Sequence, residues 1–346
     1  MDTPSGTSSA RAADPATRHD YSPMIRWTVL GILLTLVVAT GVRATAQDEF
    51  APEPSIMARL ASSSLILDAF AVDGALVAVG DRGHILISTD GGETWQQQQV
   101  PTQAMLTGVY FHDRNLGWVV GHDSVILRTS DGGTTWELVN WAPEDETPFF
   151  DVWFSDAENG VAVGAYGSYF ETTDGGTIWS SRWISDDDWH LHKIARSESG
   201  RLYIAGEAGS VYRSDDNGEN WVTLPTTYEG SYFGVLPLEG DSVLLFGLRG
   251  HLFRSDDAGE SWEELETGTV AMLTDGIRLA DGNIVIVGLG GTILSSLDGG
   301  HTFELHQQTN RRGISAAVET SEGTLLLVGE FGVRTAALSE LTAGSD

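Results

Sequence analysis

The chain has 346 residues and no cysteine. Disulfides, a thiol nucleophile and a cysteine metal site are therefore excluded. Lysine is almost missing as well, since Lys193 is the only one. The 19 basic residues face 49 acidic ones, for a formal charge of −30. Without a basic footprint the chain is not a nucleic-acid binder. The same charge opposes an unassisted anionic membrane surface. It fits a soluble, self-repelling surface, and a saline medium in which counterions screen the repulsion. Helical patterning is also lacking: no segment after residue 60 carries the apolar period of an amphipathic helix.

One long apolar run is present. Residues 27–42, WTVLGILLTLVVATGV, lie between Arg26 and Arg43. The run falls just short of an ordinary spanning helix, and Ala44 and Ala46 form a small-residue cleavage pattern. Residues 27–46 are read as a secretory signal cleaved after Ala46, with an uncleaved membrane anchor as the alternative. Residues 1–26 are polar and expected to be disordered. Either way the rest of the chain is exported, in a bacterium to the periplasmic side of the inner membrane.

The remainder repeats. STDGGETW at 88–95 recurs as TSDGGTTW, TTDGGTIW, SDDNGENW, SDDAGESW and SLDGGHTF. The central residues are Asp90, Asp131, Asp174, Asp216, Asp257 and Asp298, separated by 41, 43, 42, 41 and 41 positions. A second marker, a short apolar run ending in glycine, precedes each box. It occurs at Gly80, Gly121, Gly164, Gly206, Gly247, Gly288 and Gly329. This marker gives seven units, the last without a box. Periods of this size mean solenoids, propellers or arrays. Each unit reads as four short strands with tight turns, which is a propeller blade.

Within a box, the Asp can accept hydrogen bonds from its own turn and the glycines permit a tight reversal. The hydroxyl two places earlier can add a local bond. The final aromatic (Trp95, Trp136, Trp179, Trp221, Trp262 or Phe303) has the bulk to wedge between blades. Every one of these jobs is structural and is needed in each blade, whereas a catalytic carboxylate is needed once or twice. Each box also has too few carboxylates for a strong calcium site.

The predicted fold is all-β: a seven-bladed β-propeller of four-stranded blades with Asp-box turns, its ring closed by an N-terminal strand. Residues 61–336 form the propeller, and 337–346 a C-terminal tail. Within 47–60, residues 54–60 are expected to supply the outer strand of blade seven, whose own fourth strand is not evident.

The boxes fit the Asp-box, or bacterial neuraminidase, repeat. Their spacing, the Val-Gly-x-x-Gly before most of them, and GWVVGHDSVILRTSDGGTTW resemble the photosystem II stability and assembly factor family over roughly residues 50–336. That resemblance implies a seven-bladed lumenal or periplasmic propeller that helps assemble a membrane protein complex. Similar proteins in non-photosynthetic bacteria accompany exporters of the resistance-nodulation-division type. The photosynthetic branch carries an arginine-rich binding patch, and this chain departs there, with scattered arginines and an acidic surface.

The alternative is a glycoside hydrolase of the sialidase-like Asp-box class. Its Arg-Ile-Pro motif is absent, although spacing alone does not exclude a carboxylate pair. SDDDWHLH at 185–192 could bring carboxylates to His190 and His192 for a metal, or be an acidic connection entering a strand. The reading adopted has no catalytic, cofactor or metal site. A monomer binds a protein partner, a membrane protein complex, through one face. The expected contacts in the glycine turns are Arg82, His122, Tyr166, Glu207, Arg249 and Phe331. In the connections between blades they are Trp141, Trp183, Trp189 and Tyr228. These positions vary while the framework repeats, as loops on a rigid scaffold do.

Overall fold

A computed structural model describes residues 52–342. The polar stretch 1–26, the run 27–46 and residues 47–51 lie outside the described residues, as does the end of the tail. Among the described residues no helix is long and apolar enough to cross a membrane.

The strands build seven antiparallel sheets, six of four strands and one of three. Blade one runs through Ile66–Val72, Ala75–Gly80, Ile85–Ser88 and Gln96–Gln98. The others repeat that order, and the three-stranded blade seven holds Ile314–Glu319, Leu325–Gly329 and Gly332–Ala336. The first strand of each blade is innermost. The second strands, such as Val243–Gly247 and Ile284–Gly288, are buried along their whole length. They are sandwiched between neighbouring blades on both faces, which is why they read as continuous apolar runs.

The core is a ring of seven interblade clusters. Blades one and two share Val77, Ile85, Leu106 and Val119, for example, and blades two and three share Trp118, Phe149 and Phe154. Each box aromatic packs into the cluster shared with the preceding blade: Trp136 with blade one, Trp262 with blade four, Phe303 with blade five. Blade seven has no box. At its interface with blade six, buried Leu341 fills the space, carried by a short helix, Leu338–Thr342. Residues 337–342 are thus packed against the ring.

The expected closure is corrected. Residues 54–60 form no strand of blade seven. Ser55 N–H donates to Val100 O at 2.8 Å, and Ala58 N–H to the Gln97 side chain at 2.7 Å. The segment therefore lies along the outer edge of blade one, where Gln96–Gln98 leaves backbone groups to satisfy. Blades seven and one instead close by packing, through Ile66, Leu76, Leu326 and Val328.

Every innermost strand carries a register shift at the same place, between Ile66 and Asp68 in blade one and between Tyr232 and Gly234 in blade five. The shift brings that strand against the glycine that ends the second strand. A Cβ at Gly247 would sit 2.3 Å from Ser231 O, although the backbone there is extended, with φ 177°. The repeating glycine is thus required by close approach, not by a left-handed conformation.

Candidate partner-binding face

Alternate strands reverse, so the glycine turns and the blade-to-blade connections share one end of the propeller and the Asp boxes occupy the other. Backbone bonds join the two loop sets: Gly83 N–H donates to Ala104 O, Gly167 N–H to Trp189 O and Gly209 N–H to Gly230 O, all near 3.0 Å or below.

The box end is chemically self-contained. In blade one, Ser88 Oγ donates to Asp90 Oδ1 at 2.7 Å, Thr94 N–H donates to the same oxygen at 2.9 Å, and Gly92 N–H donates to Ser88 Oγ at 2.9 Å. The same bonds recur at Asp131, Asp174, Asp216, Asp257 and Asp298. The Thr94 and Ser261 hydroxyls foremost hold Asp90 and Asp257 down to about 2, and the Asn220 backbone does so for Asp216. Such carboxylates stay ionised and occupied at neutral pH. They are poorly suited to general acid catalysis.

At the loop end the ten candidate contacts divide. Arg82, His122 and Arg249 are exposed. So are Tyr166 at 56%, Trp183 at 66% and Trp189 at 40%. Trp183 lies over Gly167. Glu207 is half-buried and sits 3.6 Å from His190 Nδ1. Trp141, Tyr228 and Phe331 are drawn into the interblade core, so these three chiefly cover strand ends. Tyr228 also stacks on His251 with ring centres 4.1 Å apart and donates to Leu248 O.

The exposed aromatics continue inward to the central channel. His190 contacts Tyr166 and Phe150 with ring centres 5.0 and 5.9 Å apart, and His192 contacts Phe150 and Phe233 at 5.7 and 4.7 Å. His192 also bonds Tyr232 O across the blade interface, and burial lowers its affinity for a proton. Among the described residues no three His, Asp or Glu side chains converge as a metal would need.

Below this mouth lies a ring that sequence reasoning missed. The residue after each register shift points at the channel: Asp68, Gly108, Asp151, Lys193, Gly234, Asp275 and Ala316. Asp68 accepts from Val109 N–H, Asp151 from Ile194 N–H and Asp275 from Ala317 N–H, at 2.9, 2.9 and 3.0 Å. Each carboxylate thereby latches its blade to the next. Lys193 Nζ lies 3.5 Å from Asp151 Oδ1. Burial would lower Lys193, but the carboxylates of Asp151, Asp68 and Asp275 outweigh it and hold the amine above its ordinary range. Burial also raises Asp151 and Asp275, against the pull of Lys193. It pushes Asp68 up to about 7.

Asp68 therefore keeps a proton in the folded chain that the unfolded chain releases between about pH 4 and 7, so its contribution to stability falls through that window. Asp68→Asn retains an acceptor for Val109 and does not titrate. Its melting temperature is expected to exceed the parent's at pH 8, by a margin that shrinks at pH 5. A margin independent of pH would contradict the assignment.

Among the described residues, three box arginines are committed to the fold. Arg128, Arg213 and Arg254 stand three residues before the Asp of their boxes. They reach across to the next box at Gly175 O, Ala258 O and Gly299 O, at 2.8, 2.9 and 2.7 Å. They are latches of the fold.

The model of the family described as photosynthesis system II assembly factor YCF48 matches residues 93–149 and 142–333. The chain belongs to that family. Residues 86–97 also match the BNR/Asp-box repeat. Among YCF48-family relatives, the chloroplastic photosystem II stability/assembly factor HCF136 of Cyanidioschyzon merolae is 39% identical over 89 residues, 24% of this chain and 19% of that protein. The photosystem II assembly lipoprotein Ycf48 of Prochlorococcus marinus is 40% identical over 129 residues, 37% of this chain and 38% of that protein. The aligned stretches thus span well under two thirds of these relatives. A solved structure of YCF48 bound to a D1 peptide superposes with a TM-score of 0.65 at 20% identity, covering 82% of this chain and 98% of that one. At that identity the likeness shows the fold.

Proposed function

We propose that this chain is a non-catalytic, protein-binding propeller, exported and acting as an assembly or accessory factor for a membrane protein complex. The observation that carries the reading is the continuous aromatic surface from Trp183 and Trp189 through Tyr166 and His190 to Phe150 and Phe233. Exposed apolar area of this kind, rimmed by polar residues, suits a partner. A family relative solved with a peptide supports it.

The start of the described chain lies on the same face. Gln103, between blades one and two, donates to Glu53 Oε2 and Pro54 O at 3.1 and 3.2 Å. The described chain therefore begins on the loop face. The relative named a lipoprotein is consistent with export. An exporter of the resistance-nodulation-division type is the finer reading of the partner, drawn from the family resemblance; the loop-face arginines Arg82, Arg249, Arg311 and Arg312, scattered over several blades, are unlike the patch of the photosynthetic branch.

Photo-crosslinking tests the face. A crosslinker at Tyr166 or Trp189 should capture a membrane protein, and one at Leu297 on the box end should not. Trp189→Ala should cut capture about tenfold, as loss of an aromatic anchor does, with the melting temperature unchanged. Equal capture from both ends would refute the site.

A further inference from the structure

The mouth of the channel joins an apolar wall to an acidic floor. Leu65, Leu67, Met272 and Leu289 line a cavity of about 430 Å³ together with Phe150 and Phe233. Asp68, Asp275 and Lys193 lie at its base. We propose that this groove receives an extended basic segment of the partner protein, with one arginine or lysine side chain directed down the channel toward Asp68 and Asp275. The inference rests on the partner-binding reading above and names the chemistry of what binds.

Charge complementarity selects the occupant. Three carboxylates face the channel against one lysine, and Lys193 lies nearest Asp151. Asp68 accepts from Val109 N–H through Oδ2 and lines the groove, where an entering cation would draw the carboxyl toward its ionised form. Asp186, Asp187 and Asp188 belong to the connection that carries Trp183 and Trp189, and Glu207 stands beside His190. An exposed arginine, Arg312, also stands at the mouth, and its guanidinium is bonded to Glu330 O.

Shape agrees with charge. The aliphatic stem of arginine or lysine packs on leucine and methionine while its head reaches the carboxylates. The faces of Phe150 and Phe233 favour a cation over a neutral group. A neighbouring apolar residue of the same segment would rest on Tyr166 or Trp189. An acidic segment would meet like charge at every depth of the groove. A small metal ion would leave the apolar wall unused.

The test uses the full-length chain and two labelled peptides of equal length at near-physiological salt. One alternates leucine with arginine, the other leucine with glutamate. Binding is read by anisotropy. The arginine peptide should bind and the glutamate peptide should not. Asp68→Asn combined with Asp275→Asn should weaken the arginine peptide about tenfold, as loss of paired charges in a recognition site does. Glu137→Gln with Glu304→Gln removes the same charge from outer strands and should change binding less than about twofold. Phe233→Leu is a second, independent variant and should also weaken binding. Thermal melts run beside each variant, so that a folding failure is seen as such.

Equal losses from the channel and outer-strand pairs would mean diffuse attraction to an acidic surface and would overturn the proposal. So would undiminished binding by both the channel pair and Phe233→Leu. A chain lacking residues 1–26 that binds the arginine peptide about tenfold more tightly would show the groove filled by the chain's own arginine-bearing segment, again overturning a partner in trans. The peptide should also compete with crosslinking from Trp189. If Trp189 still captures a membrane protein and the peptide does not compete, this inference fails while the partner-binding face stands. If Trp189 captures nothing specific, the face itself fails.

Discussion

Trp118→Ala is expected to destabilise the propeller by about 3–5 kcal/mol, the range for deleting a buried tryptophan. Trp118 sits in the second strand of blade two, Gly117–Gly121, with no exposed surface. Its ring stacks on Phe154 of blade three, with centres 3.4 Å apart and planes 9° from parallel. The indole N–H donates to Gly175 O at 3.1 Å, in the box turn of blade three. Arg128 donates to the same carbonyl at 2.8 Å. One side chain therefore ties a central strand of blade two to the inner strand and the outer turn of blade three. Alanine would leave a cavity between two sheets whose spacing is fixed by the whole ring, so little collapse is available to offset it. Trp118→Phe separates the two contributions. It keeps a ring against Phe154 and loses the hydrogen bond, for a cost of about 1–2 kcal/mol. Urea unfolding of both variants is the measurement. A loss below about 1.5 kcal/mol for alanine would show that the interface relaxes.

The sequence states the blades so clearly because each restates the same local chemistry. A box turn is closed by residues within five positions of one another, so its hydrogen bonds follow from one copy and are checked by five more. The glycine marker is equally visible, but its reason was not. Gly247 is required because Ser231 O approaches from sixteen positions away, and such a clash has no local signature. The edge strand was harder still. Residues 54–60 could pair with blade seven or lie beside blade one, and hydrophobic pattern does not choose between two exposed edges. The side chains of Gln97 and Gln103 decide it here.

The channel shows what a period can hide. Asp68, Asp151 and Asp275 each look like one polar residue in an apolar strand. Aligned on the register shift they fall at one depth with Lys193, across a channel that no single repeat contains. The signal available was the singular lysine inside a strand, since a buried lysine requires partners. Phe150 and Phe233 were concealed differently. At the entry to an inner strand they pass for ordinary core residues, yet the register shift turns them to the mouth.

Lys193 is the residue whose loss should depend most strongly on pH. Lys193→Met is expected to cost about 2–4 kcal/mol at pH 8, somewhat less than breaking a fully enclosed ion pair because the channel admits solvent. The groups that face the amine are Asp151, Asp68 and Asp275. Lys193 titrates above its ordinary value, so its contribution is present throughout the range below about pH 10.5 and is not itself lost on acidification. The change comes from its partners. Burial raises all three carboxyls, and removing the lysine raises them further by withdrawing the opposing charge. On acidification the variant's carboxyls take up protons more readily than the parent's, and methionine fills the same stem volume, so the gap should narrow. As pH rises toward 8 they must ionise around a channel without a cation, and the gap should open. Denaturant midpoints across that range test the sign directly: a gap that stays constant, or widens on acidification, would mean that Lys193 acts through packing alone. Asp68→Asn added to Lys193→Met should recover part of the loss at pH 8 and little at pH 5. The same arithmetic predicts that a basic partner segment stabilises the Lys193→Met protein more than the parent, because the entering cation replaces the one removed.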